Sequence, residues 1–326
     1  MNSTLIAGML DHLHNIPGEF LWLFGGLVGL LGLASLIGAA LSRRPGDEKK
    51  AASRRNLVER INAWWVMVGI LAVAFLTGPT VTIVLFGLAS FFALREFITL
   101  TPSRPGDHLP LSLSFFMVLP LQYVLIGIER YGVFVVFIPV WAFLLLPSIA
   151  ALRSDIDDFL SRSAKQQWGL MVTVYCLSHA PALLMLEIPG QAGRGALLLF
   201  YLLLVVQMSD VMQYVFGKLF GKTKVAPVVS PSKTVEGLVG GGLAATAIGG
   251  AMWWITPFTP LQSAAISGAI VIMGFLGGLT LSAVKRSLGA KDWGVMIEGH
   301  GGMLDRTDSI CFAAPVFFHI VRFFYT

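Results

Sequence analysis

Apolar runs of about 18 or more residues, the length that crosses the hydrocarbon core of a bilayer, recur along the 326 residues of this chain. Polar loops that carry most of its Lys and Arg separate them. Only 13% of the residues are charged while 56% are hydrophobic. Soluble domains carry roughly 25% charged residues, so polar surface is too scarce here to cover a water-exposed globule. The fold class is therefore all-α, a polytopic integral membrane helical bundle of about ten transmembrane helices. Spans are expected at Phe20–Leu41, Ile61–Thr77, Thr80–Leu100, Leu111–Ile128, Tyr131–Ala151, Trp168–Leu186, Ala196–Phe216, Leu238–Ile255, Ala264–Ala283 and Ile310–Tyr325. Gly78-Pro79 alone separates the second from the third, which predicts a tight re-entry.

Orientation follows from the cations, which stay on the cytoplasmic side. The first loop carries Arg43, Arg44, Lys49, Lys50, Arg54, Arg55 and Arg60, so it is placed inside, as a topology determinant with attraction to anionic lipid. Strict alternation then puts Arg104, Arg153, Arg162, Lys165, Lys218, Lys222, Lys224, Lys233, Lys285, Arg286, Lys291 and Arg306 on the same side. Arg95 falls near the inner end of its helix, and only Arg130, Arg194 and Arg322 fall outside. A wrong span count would have scattered these charges. Both termini are expected to face outward, and no cleavable signal peptide is evident before Gly18. The net charge of +5 thus reports topology, and nucleic acid is not an expected partner. Cys176 and Cys311 sit in or beside apolar runs without metal-ligand spacing, as packing residues do. Residues 1–166 make an N-terminal region of helices with the basic loop, and residues 167–326 a C-terminal region that holds the polar windows described next.

The first window opens inside the seventh span. An ionisable residue at that depth is costly, about 2.5 kcal/mol or more on insertion scales, so Asp210 should face a cavity or a partner. Gln207, Gln213 and Tyr214 share a helical stripe with it. Gly221-Lys222-Thr223 is not the end of a P-loop, because the required earlier glycine is Phe216. Farther on, Ser230 or Ser232 is placed to cap a helix opening at Lys233, whose amides, with Lys233 and Thr234, would cradle phosphate oxygens. Glu236 and Gly237 lie on the first turn of that helix, where an acid suits the dipole. In the sixth span, Ser178-His179 reads as a helix–helix hydrogen bond.

The second window runs from Lys285 to Ser309. Asp305 and Asp308, three apart near the start of the last span, present hard oxygen ligands that suit Mg²⁺. Gly299, Gly301 and Gly302 allow the backbone to approach a ligand closely. His300 suits a phosphate donor, a base or a satisfied structural role alike. Arg306, Lys285 and Arg286 can neutralise a polyphosphate. Trp293 reads as an interfacial anchor rather than a base-stacking platform.

Ser230-Pro231-Ser232-Lys233-Thr234, Glu236-Gly237, Lys285-Arg286, Gly289, Lys291-Asp292, Gly294, Gly299-His300-Gly301-Gly302, Leu304-Asp305-Arg306 and Asp308-Ser309 together resemble the signature of the phosphatidate cytidylyltransferase family, the CDP-diacylglycerol synthases. Ser209-Asp210, Tyr214, Gly217-Lys218 and Gly221 fit the pattern as well, while the N-terminal half matches only as apolar spans. The resemblance implies that CTP and phosphatidic acid, or a related lipid phosphate, give CDP-diacylglycerol and pyrophosphate with Mg²⁺. It implies Asp305, Lys233, Arg306 and His300 as catalytic residues and Asp305, Asp308 and Asp210 as metal ligands. Ser230, Ser232, Thr234, Glu236, Gly237, Lys285, Arg286, Lys291, Asp292, Gly301, Gly302 and Ser309 would bind substrate. The expected setting is a bacterial inner membrane with the site on its cytoplasmic side, membrane lipids as surroundings, and an assembly open to a homodimer.

The chain departs from the pattern where Gly277-Gly278 stands in place of a Gly-Asp pair, Glu298 in place of Pro, and Ser232 where Gly is frequent. It reads as a divergent member, with Glu298 the candidate replacement for the lost carboxylate. Two other readings compete. One is a CTP-dependent enzyme acting on an isoprenoid alcohol or its phosphate. The other is a transporter or non-catalytic membrane protein that retains the fold.

Overall fold

The computed structural model describes residues 18–42, 48–153, 155–190, 193–294, 296 and 301–326. Among them, eight helices are long and apolar enough to cross a membrane, and two shorter apolar helices join them. The protein is a multi-pass integral membrane bundle. The helices are α1 (Gly18–Ser42), α2 (Glu48–Thr77), α3 (Pro79–Leu100), α4 (Pro105–Gly127), α5 (Tyr131–Ala151) and α6 (Phe159–Met185). Then come α7 (Gly195–Phe220), α8 (Gly237–Ala251), α9 (Pro260–Ser287) and α10 (Leu304–Tyr325). Between α7 and α8 the chain forms a two-stranded antiparallel hairpin, β1 (Lys224–Ala226) and β2 (Ser230–Thr234).

The sequence-derived spans fall on these ten helices. The differences lie at the ends, where polar first turns hide helix from hydropathy. The sixth helix begins at Phe159 rather than Trp168, and the last at Leu304 rather than Ile310. The eighth is short and ends at Ala251, followed by a separate tight turn over Trp253–Ile255.

The chain divides into two compact units. In the first, which runs to Thr82, the α1–α2 hairpin is pinned where Trp65 Nε1 donates to Ser35 Oγ at 2.9 Å and where Phe24 meets Phe75 edge-on. The re-entry between α2 and α3 is as tight as expected. Gly78 takes φ 108°, a conformation open to glycine, and Thr82 Oγ1 donates across the turn to Ala74 O.

The second unit contains Ile83–Met296 and Gly301–Thr326. Its core is the buried face of α10 (Cys311, Ala313, Ala314, Phe317, Phe318, Val321) against α6, α7 and α9. Buried polar pairs act as glue between helices. Gln122 Nε2 donates to Ser178 Oγ at 3.2 Å, so Ser178 does join two helices. His179 instead bonds the Tyr175 carbonyl of its own helix. Direction alternates along the bundle. At one end Tyr201 OH donates to Ser263 O, Ser263 Oγ to Gly249 O, and Arg322 lies over the Tyr131 ring. At the other, Arg162 pairs with Asp107 and Asp155, Lys285 with Asp305, and Glu96 meets the start of α10. That second end carries the hairpin, the loop after α9 and the start of α10, while Asp210 lies deeper along α7.

Candidate active site

The Ser-Pro-Ser-Lys-Thr segment is a strand, which corrects the expectation of a helix opening at Lys233 under a Ser230 or Ser232 cap. Pro231 disfavours helical geometry at Ser230, and the extended backbone pairs with β1, Lys224 opposite Thr234 and Ala226 opposite Ser230. The helical turn begins after Thr234, whose Oγ1 accepts from Gly237 N at 3.1 Å. Thr234 is buried against α7 and the start of α8. A Cβ added to Gly217, Gly221 or Gly237 would come within 3.1, 2.8 or 2.9 Å of its hydroxyl. Glu236 holds the other side of the hairpin. Its carboxylate accepts from the amides of Lys222 and Thr223, which hold it down at about 2. These ties fix β2 on α7, with Ser232 exposed and Lys233 half-buried.

Lys233 reaches inward from the strand. Its Nζ donates to Phe275 O at 3.5 Å and lies 4.7 Å from the centre of the Phe275 ring. Burial lowers its pKa, while Asp308 and Asp210 act in the opposite sense. Those carboxylates come from α10 and α7 and are joined through Ser309, whose Oγ lies 3.3 Å from Asp210 Oδ2 and 3.4 Å from Asp308 Oδ1. Asp308 Oδ1 also accepts the Ser309 amide at 2.7 Å. At 1.5 Å per residue, Asp210 sits about 15 Å from the C-terminal end of α7 and Asp308 about 6 Å from the start of α10. The cluster thus lies inside the bundle, below the helix ends.

Asp305 points elsewhere. Its Oδ1 accepts from Lys285, and its Oδ2 accepts from the amides of Trp293 and Gly302 at 2.8 and 2.9 Å. Gly301 makes the turn with φ 82°, and a Cβ there would come within 2.7 Å of Asp305 Oδ2. Glu96, from α3, accepts from the amides of Met303 and Leu304 at 2.8 and 2.9 Å. Gly302 and Gly294 leave the room for it, since a Cβ on either would collide with its carboxylate. Glu96 therefore satisfies amides that the start of α10 leaves without helical partners, Asp305 ties that first turn to the preceding loop, and both acids complement the helix dipole. Sequence reasoning missed Glu96. The signal was present, because the rule that singled out Asp210 applies equally to an acid inside the third span.

Trp293 corrects a second expectation. It is 3% exposed and stacks on Phe97 at 5.5 Å between ring centres, so it is a core residue of this end of the bundle and not an interfacial anchor. Lys291 and Asp292 are exposed on the surrounding loop, Arg286 is exposed on the last turn of α9, and Arg306 is half-buried on the first turn of α10. His300, Gly299 and Glu298 lie outside the described residues. Of the expected ligands, the fold brings Asp210, Asp308, Ser309 and Lys233 together, with Asp305 and Lys285 one helical turn away.

Among the described residues, no three His, Cys, Asp or Glu side chains gather into a metal site. The Asp210–Asp308 pair still fits Mg²⁺, which usually takes one or two carboxylates and completes its shell with phosphate and water.

A lysine from the hairpin thus lies beside two carboxylates contributed by α7 and α10, and sequence comparison supplies the class of protein, a nucleotidyltransferase. The profile of the cytidylyltransferase family matches residues 58–324, and the chain belongs to that family. It is 40% identical over 301 residues to the uncharacterized protein YnbB of Escherichia coli (strain K12), covering 91% of this chain and 96% of that one. It is 39% identical over 127 residues to the phosphatidate cytidylyltransferase of Staphylococcus aureus (strain COL), covering 38% of this chain and 48% of that enzyme. It is 39% identical over 137 residues to the phosphatidate cytidylyltransferase of Synechocystis sp., covering 41% and 46%. The chain thus matches about half the length of the two named enzymes.

Proposed function

We propose that the protein transfers the cytidylyl group of CTP to phosphatidic acid, giving CDP-diacylglycerol and pyrophosphate. A phosphate oxygen of the lipid attacks the α-phosphorus of CTP. The bond from that phosphorus to the bridging oxygen of the β-phosphate breaks, and the electron pair leaves with pyrophosphate. The lipid supplies its own nucleophile, so no Ser or Cys nucleophile is required. Catalysis is then positioning and neutralisation of charge. The observation that carries this reading is the convergence of Lys233, Asp210, Asp308 and Ser309 from a hairpin and two helices.

Asp210 and Asp308 would hold Mg²⁺, which neutralises phosphate charge when bound. Lys233 lies beside that pair, suited to a phosphate oxygen. Asp305 has its oxygens engaged, so its contribution is to orient Lys285 and the first turn of α10. Arg306, Arg286 and Lys291 supply positive charge at the mouth, through which the triphosphate would enter. The concentration of Lys and Arg at this end supports a cytoplasmic site.

Pyrophosphate release from CTP and phosphatidic acid by the purified protein in detergent, with and without Mg²⁺, tests the reading. Mg²⁺-dependent release with a CDP-lipid product is expected. A phosphorylated alcohol with CDP released would replace it by the isoprenoid reaction. The half-length match to named enzymes favours one second reading, in which the chemistry is the same and the accepting lipid phosphate differs. A panel of lipid phosphates separates the two.

A further inference from the structure

Gly278 lies on α9 opposite Asp308 and Ser309. A Cβ there would come within 2.9 Å of Lys233 Nζ, 3.5 Å of Asp308 Oδ2 and 3.6 Å of Ser309 Oγ. The ammonium group thus occupies room that any side chain at 278 would claim. Its hold is slight, one long hydrogen bond to the Phe275 carbonyl and the face of the Phe275 ring. Both carboxylates act on it electrostatically, yet among the described residues neither forms an ion pair with it. A cation on a flexible stem, weakly held beside two acids, is free to change partners.

Resting on the cytidylyl-transfer reading and its divalent ion, we propose that Lys233 is a tethered counter-ion that makes cation binding at Asp210 and Asp308 conditional on substrate phosphate. A divalent ion arriving alone meets the field of the ammonium that already partly balances the pair. A phosphate brings negative charge that draws the ammonium to itself and oxygens that complete the shell of the ion. Cation and phosphate then favour each other's binding by the same factor, as linkage requires. Gly278 is what makes this possible, because a side chain there would displace the ammonium from its place beside the pair.

The test measures Mn²⁺ alone, by electron paramagnetic resonance of the free ion, on the full-length protein in detergent. Lys233→Met should bind Mn²⁺ at least about tenfold tighter than the unmodified protein, the size expected for one charge a few ångströms away in a protein interior. Lys233→Arg, which keeps the charge, should bind as weakly as the unmodified protein. The factor by which Mn²⁺ increases CTP retention should shrink in Lys233→Met by the same ratio. Equal Mn²⁺ affinity in the unmodified protein and Lys233→Met overturns the inference and leaves the transfer reading intact, and so does an Arg variant that behaves like Met. Mn²⁺ binding that is no weaker in Asp308→Asn removes the metal site, and the inference falls with it. Unfolding temperatures of each variant in detergent identify loss of fold as the cause of any weakened binding.

Discussion

Asp305 and Asp308 stand three residues apart on α10, yet the protein uses them in opposite ways. The oxygens of Asp305 are engaged by Lys285 and two backbone amides, and nearby Glu96 is likewise taken up by the amides of Met303 and Leu304. Among the described residues, Asp308 and its neighbour Asp210 share only Ser309, with a lysine at a distance. A carboxylate has about four acceptor positions. Where amides and an ammonium fill them, the group builds structure. Where a single serine fills them, capacity is left for a ligand. The contrast divides the acidic residues of this end into a frame and a site.

The largest effect expected from that division is on stability. Asp305→Ala leaves Lys285 buried without its partner, and breaking a buried pair from one side costs about 3–5 kcal/mol. Thermal unfolding in detergent should therefore move far downward. A variant as stable as the unmodified protein would place Asp305 with the site instead. Asp308→Asn should do the reverse, lowering the rate of pyrophosphate release by about 10²–10³-fold, the usual cost of one electrostatic group at a reacting centre. Its unfolding temperature should stay close to that of the unmodified protein. Loss of activity matched by loss of fold would erase the distinction. Glu96→Gln comes next, with about 1–2 kcal/mol lost as the helix start exchanges a charged acceptor for a neutral one. The rate should fall less than in Asp308→Asn, because Glu96 acts only through the position of α10.

The sequence revealed membership of the frame or the site unevenly. Span positions were legible because apolar length is a direct physical requirement of the bilayer. Asp210 stood out for a similar reason, because a charge inside a span is rare enough to need an explanation, whereas Lys233 and Asp308 drew notice in polar loops, as a phosphate cradle and as a hard oxygen ligand. The hairpin was not legible. Ser230, Ser232 and the acid at 236 satisfy the rules for a capped helix, and only the pairing of Lys224–Ala226 with Ser230–Thr234 decides for a strand. Nor could spacing reveal that Asp305 and Asp308 diverge. Residues three apart face the same side of a helix, but where each side chain ends depends on Lys285 and the loop amides, which belong to other parts of the chain. Trp293 misled for a similar reason, since its partner Phe97 lies far away in sequence.

The hairpin offers the smallest and most specific test. Glu236 belongs with the frame, since its carboxylate accepts from the amides of Lys222 and Thr223 and is held at about 2 by those bonds, the Lys222 bond first. A carboxylate whose pKa falls on folding adds stability that is complete above its unfolded value, about 4.3. That contribution fades as pH drops toward the folded value. Exchange of the Lys222 and Thr223 amides should therefore hold constant from pH 8 to about 5, once corrected for intrinsic rates, and gain an extra opening below about 4. Glu236→Gln should show faster exchange at every pH and no such acid step. Because the carboxylate is exposed to screening by salt, the difference between the two proteins should be small and should narrow as ionic strength rises. Identical exchange in both would mean that β1–β2 pairing alone holds Lys233 in place, and Glu236 would leave the frame.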